Sequence, residues 1–391
     1  MSTQSKRLPA TAFVLSLVSF FNDVASEMVT PLVPLLLAGV LGAGPIALGL
    51  IEGSAEAVSA LLKLWSGRWS DLLGGRRKAF IVAGYGVSNL VRPLFGLVAL
   101  WPQLLFLRAL DRVGKGLRTA PRDALLADVT DLSLRGRAFG LLRAMDNAGA
   151  AAGALCAAAI LATQAIPLGQ VILWSAVPGV AVVLLAAFGI RDARATLPAA
   201  AVPPKLVWRN LSGPLQHTFL LVGMFNFARA SETFVVLRGY ELGLDSAALL
   251  VIWAAMMLAK SFASIYGGHL SDRLGHRRAT AAGWFMLAGG LVVLAWPGKA
   301  AEFWIAAVAY GALSGLCEGA ERALIGQHAA AGGRGTVYGW YNAVLGATAI
   351  PAGLAFGALW QFGGAGWAFC VAGALGMAVA AALAAWRRAP A

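Results

Sequence analysis

Twelve stretches of this 391-residue chain are apolar over roughly the length that crosses a lipid bilayer. They run over 11–38, 46–68, 79–100, 103–126, 138–162, 168–190, 214–238, 246–268, 279–297, 302–327, 336–361 and 366–386. The hydrocarbon core is about 30 Å thick, and a helix rising about 1.5 Å per residue needs roughly 20 residues to span it. The expected fold is therefore all-α, with twelve transmembrane helices. Composition points the same way, at 59% hydrophobic and 13% charged. A soluble domain carries about 25% charged residues, so a soluble enzyme is excluded. Forty-seven glycines suit helices that approach one another closely in lipid.

The net charge of +13 would suit a nucleic-acid partner, but the placement of the charges argues against one. With twelve spans, both termini lie on one side. Seventeen of the 31 basic residues then fall on that side, among them Lys6, Arg76, Arg77, Lys78, Arg135, Arg191, Arg209, Arg277 and Arg388, and two, Arg238 and Lys299, on the other. Basic loops stay in the cytoplasm. The termini are therefore expected inside, the charge is topological, and no nucleic-acid partner is expected. Cys156, Cys317 and Cys370 lie within spans without metal-type spacing, so they predict neither a disulfide framework nor a metal site. The four histidines are scattered. The first apolar stretch is too long for a signal peptide's apolar region and carries Asn22, Asp23 and Glu27, which argues against cleavage.

The chain repeats itself. Gly67-Arg-Trp-Ser-Asp71-Leu-Leu-Gly74-Gly-Arg76-Arg77 matches Gly268-His-Leu-Ser-Asp272-Arg-Leu-Gly275-His-Arg277-Arg278 at an offset of 201. Phe21-Asn22 followed by Ala25-Ser26-Glu27 resembles Phe225-Asn226 followed by Ala230-Ser231-Glu232. The segment 191–213, with Pro198, Pro203 and Pro204, separates six spans from six. The expected organisation is an N-terminal six-helix bundle over 1–190, a cytoplasmic linker over 191–213 and a C-terminal six-helix bundle over 214–391. This is the parallel-repeat plan of secondary transporters.

The Gly-x-x-x-Asp-x-x-Gly-x-Arg-Arg pattern, found after spans 2 and 8, resembles motif A of the major facilitator superfamily, and the resemblance covers essentially the whole chain. The first copy departs from the pattern, with Leu72 and Gly75 where basic residues are usual. The resemblance implies two pseudo-symmetric bundles and a cytoplasmic gate built from Gly67, Asp71, Gly74, Arg76, Arg77, Asp272 and Arg277. A carboxylate there can accept hydrogen bonds at a helix N-terminus or pair with a basic side chain. Arg112-Val-Gly-Lys115-Gly116 resembles motif B of the drug:proton antiporter branch, and Gly140, Gly149 and Gly153 have the spacing of its motif C. Ala154 stands where that motif has Pro, and helix packing explains the small residues equally well.

Twenty-two ionisable residues lie inside the spans. Each costs several kcal/mol unless it is paired or faces water. Fourteen fall in spans 1, 4, 7 and 10, the helices that the resemblance implies line a central cavity. Asp23 and Glu27 are one turn apart at mid-depth, with Arg112 at similar depth in span 4. Arg118, Arg122 and Asp123 approach the cytoplasmic end and read as snorkelling or loop-pairing groups. Burial favours a carboxylate's neutral form and a nearby Arg its charged form, which suits proton coupling. The expected coupling residues are Asp23, Glu27, Asp146 and Glu232, with Arg112 the counter-ion of the Asp23–Glu27 pair. The expected substrate-binding residues are Asn22, Arg108, Arg112, Arg143, Asn226, Arg229 and Lys260.

The function expected is proton-coupled secondary transport by alternating access, exporting a small organic compound by proton antiport. The competing reading is proton symport of a small anionic metabolite gripped by the central bases. No phosphate-binding Gly-x4-Gly-Lys loop occurs, and no nucleophile–base set marks a membrane enzyme. No cofactor or metal is expected. The partners expected are a small-molecule substrate, protons and the lipid bilayer, for a monomer in a bacterial inner membrane.

Overall fold

A computed structural model describes residues 8–73, 76–131, 134–163, 166–192, 208–229, 231–297, 299–326 and 334–386. Among them the regular elements are helical throughout, as expected. Among the described residues, eleven spans are long and apolar enough to cross a membrane. The exception is span 4, the helix Trp101–Val129. It carries seven charged residues between Arg108 and Asp123, so its length, not its hydropathy, marks it as a crossing.

The first compact unit comprises residues up to Leu32 and 58–203. It holds α1 (Ala10–Glu27), the larger part of α3 (Pro45–Leu72), α4 (Lys78–Val91), α5 (Trp101–Val129), α6 (Arg135–Thr163), α7 (Leu168–Trp174) and α8 (Ala176–Leu184). Here α1 packs on α6 and α4 on α5. Leu15, Val18, Ile81, Tyr85, Leu126 and Leu142 meet in a fully buried core. The α1–α6 seam is backbone on backbone. A Cβ at Gly149 would collide with the carbonyl of Phe20, and one at Gly153 with that of Val24. Two of the motif C glycines therefore serve as a packing surface for α1.

The second unit comprises residues 33–57 and 204–391. It contains α2 (Leu32–Leu35) from its second residue, the start of α3, α9 (Gly213–Ala228), α10 (Glu232–Glu241), α11 (Ser246–Leu274), α12 (His276–Ala295), α13 (Ala300–Gly326), α14 (Arg334–Gly363) and α15 (Ala365–Ala385). The tightest pairs are α11 with α13 and α12 with α15. Gly311 and Gly315 of α13 lie against the carbonyls of Met256 and Lys260, which fixes α11 and α13 as one rigid pair. Gly275 (φ +83) and Gly364 (φ +85) each join two long helices through a single residue. That backbone region strains any residue with a Cβ. Large apolar side chains such as Phe188, Phe362 and Ile305 are 73–82% exposed, as lipid-facing positions require.

Candidate transport site

Among the described residues, span 6 is interrupted at Ser175, and spans 1 and 7 are broken over several residues, both at the repeated Phe-Asn…Ala-Ser-Glu segment. In span 1, α1 ends at Glu27 and the chain turns over Met28–Pro31 before α2. Pro31 has no N–H to continue an α-helical ladder. Backbone donors are satisfied locally, with Met28 N–H on Val24 (3.1 Å) and Thr30 N–H on Ser26 (2.8 Å). In span 7, α9 ends at Ala228, and Arg229 takes an extended ψ of 106°. Ser231, also extended, stands just before α10, which starts at Glu232, with its hydroxyl bonded to that of Thr233 (2.9 Å) and not to the helix N–H groups. Glu27 is thus the last residue before its break and Glu232 the first after its own. Irregular backbone at membrane depth is tolerated only where protein or a watery cavity surrounds it, and such breaks mark the binding region in transporters.

In the first unit, a polar network runs beside the first break. Asn22 donates to Asp23 Oδ1 (2.9 Å) and accepts from Arg92 Nη1 (3.0 Å). Arg92 also pairs with Asp111 (2.9 Å) and donates to Asn89 Oδ1 (3.2 Å). Both members of the Arg92–Asp111 pair are almost wholly buried, at 3% and 1% exposure. Asp111 also has Arg112 within 3.8 Å and counters the charges of Arg108 and Arg118.

The charged groups around Asp23 are Asp146, Glu27, Arg122 and Arg118. Arg122 lies 2.9 Å from Asp123 and 3.6 Å from Asp146, and donates to Ser19 Oγ (2.8 Å). Ser19 in turn bonds the Tyr85 hydroxyl (3.2 Å). Arg118 donates to Ser88 Oγ (2.7 Å) and stacks over the Tyr85 ring. These two arginines correct the snorkelling expectation: they are only 5% and 8% exposed, because α1 and α4 bring hydroxyls and a ring to them. Arg108 is buried at 2%. Arg143 reaches Asp146 at 3.4 Å with its side chain 54% exposed.

In the second unit, Glu321 of α13 is the centre. Its Oε2 accepts from Arg229 and from the Trp284 indole, each at 2.9 Å, and its Oε1 from the Tyr341 hydroxyl at 2.6 Å. Phe225 stacks flat on Trp284 at 4.3 Å, and Arg229 lies over Phe225. Lys260 of α11 takes Glu232 at 2.7 Å. Asn226 donates to Thr348 Oγ1 (2.8 Å) and to the Leu345 carbonyl (3.3 Å), tying α9 to α14.

At the end where the basic loops gather, Arg77 pairs with Asp128 of α5 (2.8 Å). The N–H groups of Arg77 and Lys78, at the start of α4, both donate to Asp192, beyond α8, at 3.0 and 2.7 Å. Gly67 lies against Ala120, where an added Cβ would be 3.2 Å from the Ala120 Cβ. Arg76 and Asp272 are exposed, and Arg277 donates to the Trp386 carbonyl. Gly74 lies outside the described residues, as do the Asp71 side chain and the linker over 193–207. The spacing of motif A pointed to this end, while Asp128 and Asp192 carry no motif of their own.

A family model described as the Major Facilitator Superfamily matches residues 15–259 and 218–391. The chain belongs to that superfamily. As a major facilitator protein it is a multi-pass membrane transporter of small molecules, not an enzyme. An uncharacterised MFS-type transporter of Methanocaldococcus jannaschii is 29% identical over 364 residues, 91% of this chain and 90% of its own. The multidrug resistance protein MdtH of Sodalis glossinidius is 30% identical over 156 residues, 40% of this chain and 38% of its own. Among solved structures, a POT family transporter in complex with a thioalcohol-conjugated peptide superposes with a TM-score of 0.78. The match covers 95% of each chain at 9% identity, a likeness of fold alone.

Proposed function

We propose that this transporter is proton-coupled and exports a small organic compound by antiport, from a bacterial inner membrane and as a monomer with both termini inside. The observation that carries the reading is the setting of Asp23. It is a span carboxylate with two other acids, Glu27 and Asp146, and two arginines, Arg118 and Arg122, around it. Acids crowded in this way do not all hold a charge at once unless a cation compensates, and a shift of the cation trades charge for a proton. Arg122 is the compensating cation in this reading, in place of Arg112. The partial match to MdtH supports export. The anion-symport reading has less support, since Arg229, Lys260 and Arg143 already hold carboxylates at 2.9, 2.7 and 3.4 Å.

The test begins with a thermal-shift screen of purified protein against organic cations, anions and neutral compounds. Flux of the ligand found is then followed in proteoliposomes with and without a pH gradient. Asp23→Asn and Glu27→Gln are expected to fold and bind while losing gradient-driven flux. Full gradient-driven flux in the double variant would overturn the role of this pair.

A further inference from the structure

We infer that Glu321 is a positioning residue that keeps span 7 broken, by drawing Arg229 away from the course of a continuous helix. This inference goes beyond the transport reading and does not depend on it. A break inside a span is costly, because each backbone group left without a partner in lipid costs several kcal/mol. Something must hold span 7 open, and the sequence contains no Pro there. Arg229 and Glu232 are three residues apart. In a continuous helix they would be neighbours on one face, a favourable i,i+3 ion pair. In the structure each is given to a different helix instead. Arg229 goes to Glu321 on α13, and Glu232 to Lys260 on α11.

The two holds differ at the carboxylate. The bases are alike, Lys260 at 28% and Arg229 at 27% exposed, but Glu232 is 22% exposed and Glu321 2%. Glu321 receives donors from three other elements: Arg229 at the end of α9, Trp284 on α12 and Tyr341 on α14. Phe225, one turn before Arg229, is clamped on the Trp284 ring. The pair that anchors the end of α9 therefore sits in a built socket in which both Glu321 oxygens are satisfied. The pair at the start of α10 has the more accessible carboxylate. Because α11 and α13 are locked together along their glycine seam, both ends of the break are gripped by one rigid support.

The experiment is amide hydrogen exchange of the full-length protein in detergent, read over residues 231–235, with Glu321→Gln and Arg229→Gln as variants. If Glu321 holds the break, both variants let α9 run on into α10. Those amides gain partners one turn back, and their exchange slows by about tenfold or more. Spin labels at the exposed Leu220 and Tyr240 positions then move toward about 30 Å apart, the length of 20 residues of unbroken helix. Folded variants with parental exchange and spacing would overturn the inference. Loss of the fold in both would overturn it equally, since a pair whose removal unfolds the bundle is holding the bundle, not setting the course of one helix. Trp284→Phe, which leaves the Arg229 pair in place, is expected to keep the parental pattern, and straightening in that variant would also count against the assignment.

Discussion

The Arg92–Asp111 pair shows what one residue decides in this protein. Both side chains are buried, and Asp111 is the carboxylate that several arginines of α5 share. Removing one partner of a buried pair leaves an uncompensated charge, at a cost of about 3–5 kcal/mol. Asp111→Asn is therefore expected to lower stability by that order, read from thermal unfolding of purified protein. Adding Arg92→Met to it should recover part of the loss, because the orphaned charge goes with it. A milder change of another kind is expected at Asp192, which caps the first turn of α4 from outside that helix. Asp192→Ala should cost about 1 kcal/mol, visible as faster amide exchange at Arg77 and Lys78.

How far the chemistry could be read in advance also becomes clear at this scale. Asn22, Glu27, Asn226 and Glu232 stood out because a repeated segment marks them, and Asp23 because it is a charge at mid-depth; the structure sets all five at or beside the breaks in spans 1 and 7. Glu321 carries no such mark. Its partners lie 20, 37 and 92 residues away, so its importance is a property of packing. Arg118 and Arg122 were misplaced for a related reason. Depth counted along one helix cannot anticipate the hydroxyls of Ser19, Ser88 and Tyr85 on its neighbours.

Among the elements, the helix pairs divide by how they touch. The α1–α6 seam is built on Gly149 and Gly153, whereas Gly140 of the same helix has open space where a Cβ would go. Overpacking a tight contact costs about 1–3 kcal/mol. Gly149→Val and Gly153→Val are expected to fall in that range or above it. Gly140→Ala is expected to be neutral or to gain about 0.5–1 kcal/mol from helix propensity. Comparing the three melting temperatures separates a packing role from an antiport signature, which would affect flux at unchanged stability. Eleven of the spans were legible from apolar length, and span 4 from its length alone. The break in span 7 was not, because no Pro or Gly announces it and its cause lies on other helices.

For the whole molecule, the orientation rests on seventeen basic residues on one side against two on the other. A single cysteine introduced between 191 and 213, in a background lacking Cys156, Cys317 and Cys370, is expected to be labelled by a membrane-impermeant maleimide only after the cells are opened. Labelling in intact cells would reverse the topology and with it the side on which Arg77, Asp128 and Asp192 act.

The one-residue joints at Gly275 and Gly364 bear on how freely the helices they connect can shift. One helix can slide along the next only as far as the chain between them has slack. Between α11 and α12, and again between α14 and α15, that chain is a single residue. Each pair is therefore expected to travel as one hairpin, with any sliding taken up at its outer ends.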